Sequence, residues 1–175
     1  MDNTIKKYDL FGSSSFLFTI PACYSIYNLN NRFFFYKTAL CCLPLMSYLC
    51  NTTYNRFYQL LDHLTTSSIS LSYLFYMKKY TYFYNVLIFL LLDIIVNKKI
   101  AYSTTFSYII LNISSYRHLS RREIMISILS LIICAISYIK RNPYHPSYRL
   151  FTTVWHSSNS VLLLLSTNTL QETGL

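Results

Sequence analysis

Two glycines and four prolines in 175 residues leave little material for tight turns, which argues against a β-rich fold and for helices. Charge is scarce as well. Only 12% of the residues are Asp, Glu, Lys or Arg, where a soluble domain carries about 25%. Acidic residues number 6 against 15 basic ones. There is no CxxC or CxxH spacing among the five cysteines, no glycine-rich phosphate loop and no Ser-His-Asp nucleophile pattern. Zinc-ribbon, nucleotide-binding and serine-hydrolase readings therefore have no motif to stand on. All five cysteines (Cys23, Cys41, Cys42, Cys50 and Cys134) lie in apolar stretches and read as small core side chains.

What is abundant is apolar surface. Hydrophobic residues make up 53% of the chain and aromatic residues 18%. They fall into seven segments: Leu10–Tyr27, Phe33–Cys50, Tyr58–Met77, Tyr80–Val96, Ile100–Tyr116, Ile124–Ile139 and Leu150–Thr167. The expectation is an all-α membrane protein, a seven-transmembrane helix bundle forming one domain over residues 1–175. Several segments are shorter than the roughly 20 residues an ordinary bilayer needs. Either a thin bilayer of about 27 Å, of endoplasmic reticulum or Golgi type, or continuation of the helices into the headgroups through their tyrosines accommodates them. Tyrosines near segment ends, such as Tyr76, Tyr80, Tyr82 and Tyr84, suit an interfacial belt.

The net charge of +9 sits in pairs between the apolar runs: Lys78-Lys79, Lys98-Lys99, Arg121-Arg122 and Lys140-Arg141. Cations at helix ends that reach lipid headgroups account for that spacing, so the partners expected are membrane lipids and other membrane proteins, with no nucleic acid. Lys6-Lys7 before the first apolar run resembles a secretory signal, but Asp9 interrupts it and no small-residue cleavage site follows; a retained first helix is expected. Short loops make neighbouring helices antiparallel. Basic residues then divide eight against seven between the two sides, and no orientation follows. The tail after Thr167 is polar and is expected to lie outside the last helix.

Two segments are much more polar than the rest. The third carries Gln59, Asp62, His63, Thr65, Thr66, Ser67, Ser68 and Ser70; the seventh carries Thr152, Thr153, His156, Ser157, Ser158, Asn159 and Ser160. Such groups are costly in hydrocarbon and should face each other or a wet cavity. Asp62, His63 and His156 are the ionisable residues inside these segments, and each is a site candidate on that ground. Asp93 lies near Lys98-Lys99 and reads as an interfacial ion pair; His118 and His145 fall in loops.

Ser47-x-x-x-Asn51, Gln59-Leu60-Leu61-Asp62 and Thr152-Thr153-Val154-Trp155-His156 occur in that order. The pattern resembles the CREST superfamily of seven-helix membrane proteins, which includes the alkaline ceramidases and the post-GPI-attachment and myomaker-like proteins. That family has Ser-x-x-x-His ending its second helix, an Asp near the start of the third and His-x-x-x-His in the seventh. The resemblance implies a zinc held by three histidines, with Ser47 and Asp62 as the catalytic pair around a metal-bound water. His156 stands at one metal position. Asn51 and Thr152 stand at the other two.

That departure decides the expectation. Asn and Thr are poor donors for a borderline-soft cation, and one imidazole with one carboxylate holds zinc weakly. The chain is expected to be a diverged, non-catalytic relative of these lipid hydrolases, with zinc weak or absent. Two alternatives stand beside it: an active zinc-dependent membrane amidase or lipase with altered ligands, and an unrelated small transporter or channel subunit.

Overall fold

A computed structural model describes residues 13–53, 56–96, 102–140 and 147–173, and every regular element among them is helical. A 3-10 turn, Ser13–Phe18, leads into α1 (Thr19–Asn28), followed by α2 (Phe34–Thr53), α3 (Arg56–Tyr76), α4 (Tyr80–Val96), α5 (Tyr102–Ser115), α6 (Arg121–Lys140) and α7 (Tyr148–Glu172). Seven α-helices thus occupy the seven apolar segments. Lys6, Lys7, Asp9, Lys98, Lys99, Arg141 and His145 lie outside the described residues, as does the side chain of Asp93.

Two segments depart from expectation. The first is not one continuous α-helix: its leading residues form the 3-10 turn, and α-geometry begins only at Thr19. Pro21 explains the position. A proline lacks an N–H, and the first helical turn is the one place where that donor has no intrahelical acceptor to lose. The seventh helix, conversely, runs past Thr167 to Glu172. Leu170 is fully buried, and the Asn168 side chain accepts from the Tyr24 hydroxyl (2.9 Å) and donates to Glu123 (3.3 Å). Those tertiary contacts carry the helix through residues that look like a solvated tail.

The packing order places the core. The α2 helix lies on α3, α3 on α4 and α5, and α6 chiefly on α7; the 3-10 turn and α1 wedge between α2 and α7. Apolar side chains from these elements, among them Phe18, Phe33, Leu40, Leu43, Ile69, Leu74 and Leu163, make one buried cluster. Around it the usual distribution is reversed. On α6 the buried positions are Ser127, Ser130 and Ser137, whereas Met125, Ile128, Leu129, Ile132, Ile136 and Ile139 are exposed. The α4 helix exposes Ile88, Leu91, Leu92 and Ile95.

Cys23, Cys41 and Cys42 are also exposed, which corrects the reading of the cysteines as core residues: they occupy the outward faces of their helices. Among the described residues, one helix is both long and apolar enough to cross a membrane by itself, Asn31–Thr52. The α3 and α7 helices are diluted by serines, threonines and asparagines, and α4 and α5 are short.

The start of α6 is fixed by a capping box. Ser120 N–H donates to Glu123 Oε2 (2.8 Å), Glu123 N–H donates to Ser120 Oγ (3.3 Å), and the Ser120 hydroxyl also donates to Oε2 (2.6 Å). The Ser120 hydroxyl and N–H hold the Glu123 carboxyl below its ordinary pKa. A carboxylate depressed in the folded state contributes stability above its unfolded pKa and loses it as pH falls through the folded value. Ser120→Ala should therefore cost about 1 kcal/mol in detergent unfolding at neutral pH. The difference between the two proteins should shrink as the pH falls through the lowered pKa of Glu123, leaving the part due to the Glu123 N–H to Ser120 bond.

Candidate functional site

The polar centre of the bundle forms where the 3-10 turn, α2 and α7 meet. His156 stands on the buried face of α7 and is 0% exposed. Its Nδ1 faces Ser14 Oγ at 2.8 Å, and its Nε2 faces Ser47 Oγ at 3.5 Å. The Ser15 hydroxyl donates to Ser47 Oγ (3.2 Å). From one turn further along α2, the Asn51 amide donates to Ser15 Oγ (3.3 Å), Ser47 Oγ (3.3 Å) and the Ser47 carbonyl (2.8 Å). Phe18 closes one side with its ring edge-on to the imidazole, centroids 5.1 Å apart, and Trp155 lies at 4.9 Å.

Three residues singled out in the sequence, Ser47, Asn51 and His156, therefore do converge. Thr152 lies one turn before His156 on the same helix face and is 1% exposed. Its hydroxyl has no hydrogen-bond partner among the described residues. Asp62 and His63 are half-buried near the start of α3, one turn before buried Thr66 and Ser67, and neither is without a partner. The polar faces of α3 and α7 are not directly apposed along their length. They meet mainly where Tyr73 reaches α7, while α7 lays most of its polar face on the 3-10 turn, α1 and α6.

Ser14 and Ser15 were not among the sequence candidates. Their signal was the Ser13-Ser14-Ser15 run inside the first apolar segment, which obeys the same rule as the polar runs of the third and seventh: hydroxyls in an apolar helix point to where a partner is. Tyr36 and Tyr73 were missed too. Both are fully buried and carry a second polar cluster, with the Tyr36 hydroxyl on Ser166 (2.9 Å) and Thr167 (3.0 Å) and the Tyr73 hydroxyl on Ser115.

The residues around His156 do not fit a zinc centre. They offer one imidazole, three hydroxyls and one carboxamide, and neutral oxygens are weak ligands for zinc. Among the described residues no three His, Cys, Asp or Glu side chains come together. Of the three serines, Ser15 is 0% and Ser47 2% exposed, whereas Ser14, nearest the imidazole, is only half-buried. The geometry is that of a hydrogen-bonded linchpin. It joins three elements through groups that can each donate and accept, so either imidazole tautomer is accommodated.

No family model matches the chain, and no curated protein or solved structure is significantly similar to it.

Proposed function

We propose that the chain is a multi-pass membrane protein of CREST-like architecture, in which a hydrogen-bonded polar cluster stands where a metal centre would be. It acts by binding lipid or another membrane protein within the bilayer and does not hydrolyse a substrate. The observation that carries the reading is the environment of His156: a fully buried imidazole with a serine hydroxyl at each ring nitrogen and Asn51 close by.

The membrane part rests on the reversed polarity of the bundle. Serines, threonines and asparagines are buried, whereas large apolar side chains cover the outward faces of α2, α4 and α6. In water, apolar patches of that extent are unfavourable; in hydrocarbon they cost nothing, and the polar groups have only one another to bond. At 1.5 Å per residue, the 20 residues of α2 and of α6 and the 21 of α3 span about 30 Å, the thickness of an ordinary bilayer core, and the 17 of α4 about 26 Å, closer to a thin endomembrane bilayer. The 14 residues of α5 and the 10 of α1 are shorter than either.

One reconstituted preparation tests both parts. Cys41 and Cys42 lie exposed in the middle of α2, so a charged, membrane-impermeant maleimide should leave them unlabelled in intact bilayers. The same reagent should label a Lys78→Cys variant completely. Rapid labelling of Cys41 in vesicles would remove the multi-pass reading. The same preparation should contain well under one zinc per ten chains; stoichiometric zinc that disappears in His156→Ala would replace the binding role with a catalytic one.

A further inference from the structure

Near the α3–α4 turn the bundle surface opens into a groove of about 170 Å³ lined by Phe35, Leu71, Ser72, Phe75, Tyr76 and Phe83. Phe35 and Phe75 stand largely exposed on it. Its lining is almost wholly apolar, yet the rim is cationic. Lys79 precedes Phe83 by one helical turn, its carbonyl accepting from the Phe83 N–H (3.0 Å), so a lysine stands at the turn beside that wall. Arg32 reaches the same end through a stack: its guanidinium sits 4.9 Å over the Phe33 ring, and Phe33 packs edge-on against groove residue Tyr76 at 4.9 Å. No acidic residue occurs between Asp9 and Asp62 or between Asp62 and Asp93. The carboxylates of α3 and α4, Asp62 and Asp93, each lie nine or more residues along the helix from the groove residues.

Lys78 adds an independent observation. It is the one described non-glycine residue with a positive φ, 54°. It ends α3 in a Schellman arrangement, with Lys79 N–H on the Leu74 carbonyl (2.8 Å) and Lys78 N–H on the Phe75 carbonyl (3.1 Å). Glycine is the residue that fits this position without steric cost, and lysine is strained there. Strain kept at a surface turn calls for a compensating role, and a long cation beside an apolar groove supplies one.

We infer that this groove binds one anionic phospholipid of the membrane, an acyl chain lying along Phe35, Phe75 and Phe83 and the phosphate held by Lys78, Lys79 and Arg32. The inference rests on the membrane reading above. An aromatic groove takes either leaflet lipid equally, so the rim cations supply the preference for negative charge. Lys37 is less suited to the role because its ammonium already donates to the Leu29 carbonyl (3.1 Å).

The full chain reconstituted in equal phosphatidylcholine and phosphatidylglycerol, then washed in detergent, tests this by native mass spectrometry of retained lipid. The wild type should keep phosphatidylglycerol in preference to phosphatidylcholine. Each of Arg32→Gln and Lys79→Gln should lower that preference about fivefold. Lys78→Gly should also lower it while melting at a higher temperature than the wild type, which separates lost binding from lost fold. Phe75→Ala should reduce retention of both lipids; no change there would reduce the site to general surface charge and overturn it. A chain that floats with vesicles but keeps both lipids equally overturns the site alone. A chain that fails to float overturns the membrane reading and the site together.

Discussion

Replacing His156 by alanine should destabilise the bundle by roughly 3 kcal/mol. Two effects add. The imidazole is wholly enclosed, so its removal leaves a cavity between the 3-10 turn, α2 and α7. It also withdraws the group that faces the Ser14 and Ser47 hydroxyls. Ser47 retains Ser15 and Asn51, so most of the stranded-polar penalty falls on Ser14. Ser14→Ala alone should therefore cost only about 1 kcal/mol, and the double variant less than the two singles summed. Unfolding midpoints in mild detergent read all three. A His156→Ala protein as stable as the wild type would mean that the cluster does not hold the bundle together.

The second large effect is a gain. Asn51→His with Thr152→His should turn a protein expected to hold zinc weakly or not at all into one that binds about one ion per chain and releases it to a chelator. Asn51 already reaches Ser47 Oγ at 3.3 Å, and Ser47 faces His156 Nε2. Thr152 is buried on the same face as His156, and its hydroxyl makes no bond that the substitution would break. Three imidazoles with an open position form a known type of zinc site. Overpacking at position 152 should cost about 1–3 kcal/mol in the metal-free protein, so zinc should raise the melting temperature of the double variant and leave the wild type unmoved. Asn51→His alone, with two imidazoles, should bind orders of magnitude more weakly. If the double variant folds yet takes up no zinc, positions 51, 152 and 156 do not share a centre and the CREST-like reading fails.

Helix placement was legible because it depends on local pattern. Apolar runs separated by paired cations mark α3 to α7 whatever packs against them, and the boundaries of α4 coincide with the expected segment at both ends. The shared face of Ser47 and Asn51 was legible through spacing, since i and i+4 positions on one helix share a face; that His156 meets Ser47 was expected only from the CREST resemblance, which also placed Asp62 there. Ser14 was not: the Ser13-Ser14-Ser15 run marks a need for a partner but does not say that it stands 142 positions away. The cysteines misled because apolar context says only that a side chain avoids water. A core and a lipid-facing surface satisfy that equally.

By itself, then, the amino-acid order determined an all-helical chain, the segments its helices occupy and the polar residues for which hydrocarbon is a poor solvent. These follow from hydrogen-bond satisfaction along the backbone and from side-chain polarity, both properties of neighbouring residues. Tertiary structure alone decided that a 3-10 turn from the N-terminal side lies between α2 and α7 and brings a serine to His156. It also decided that α7 continues to Glu172 and that an apolar groove opens near the α3–α4 turn. Each depends on which surfaces from distant parts of the chain come within a few ångströms, and hydrogen bonds and dispersion contacts act only at that range.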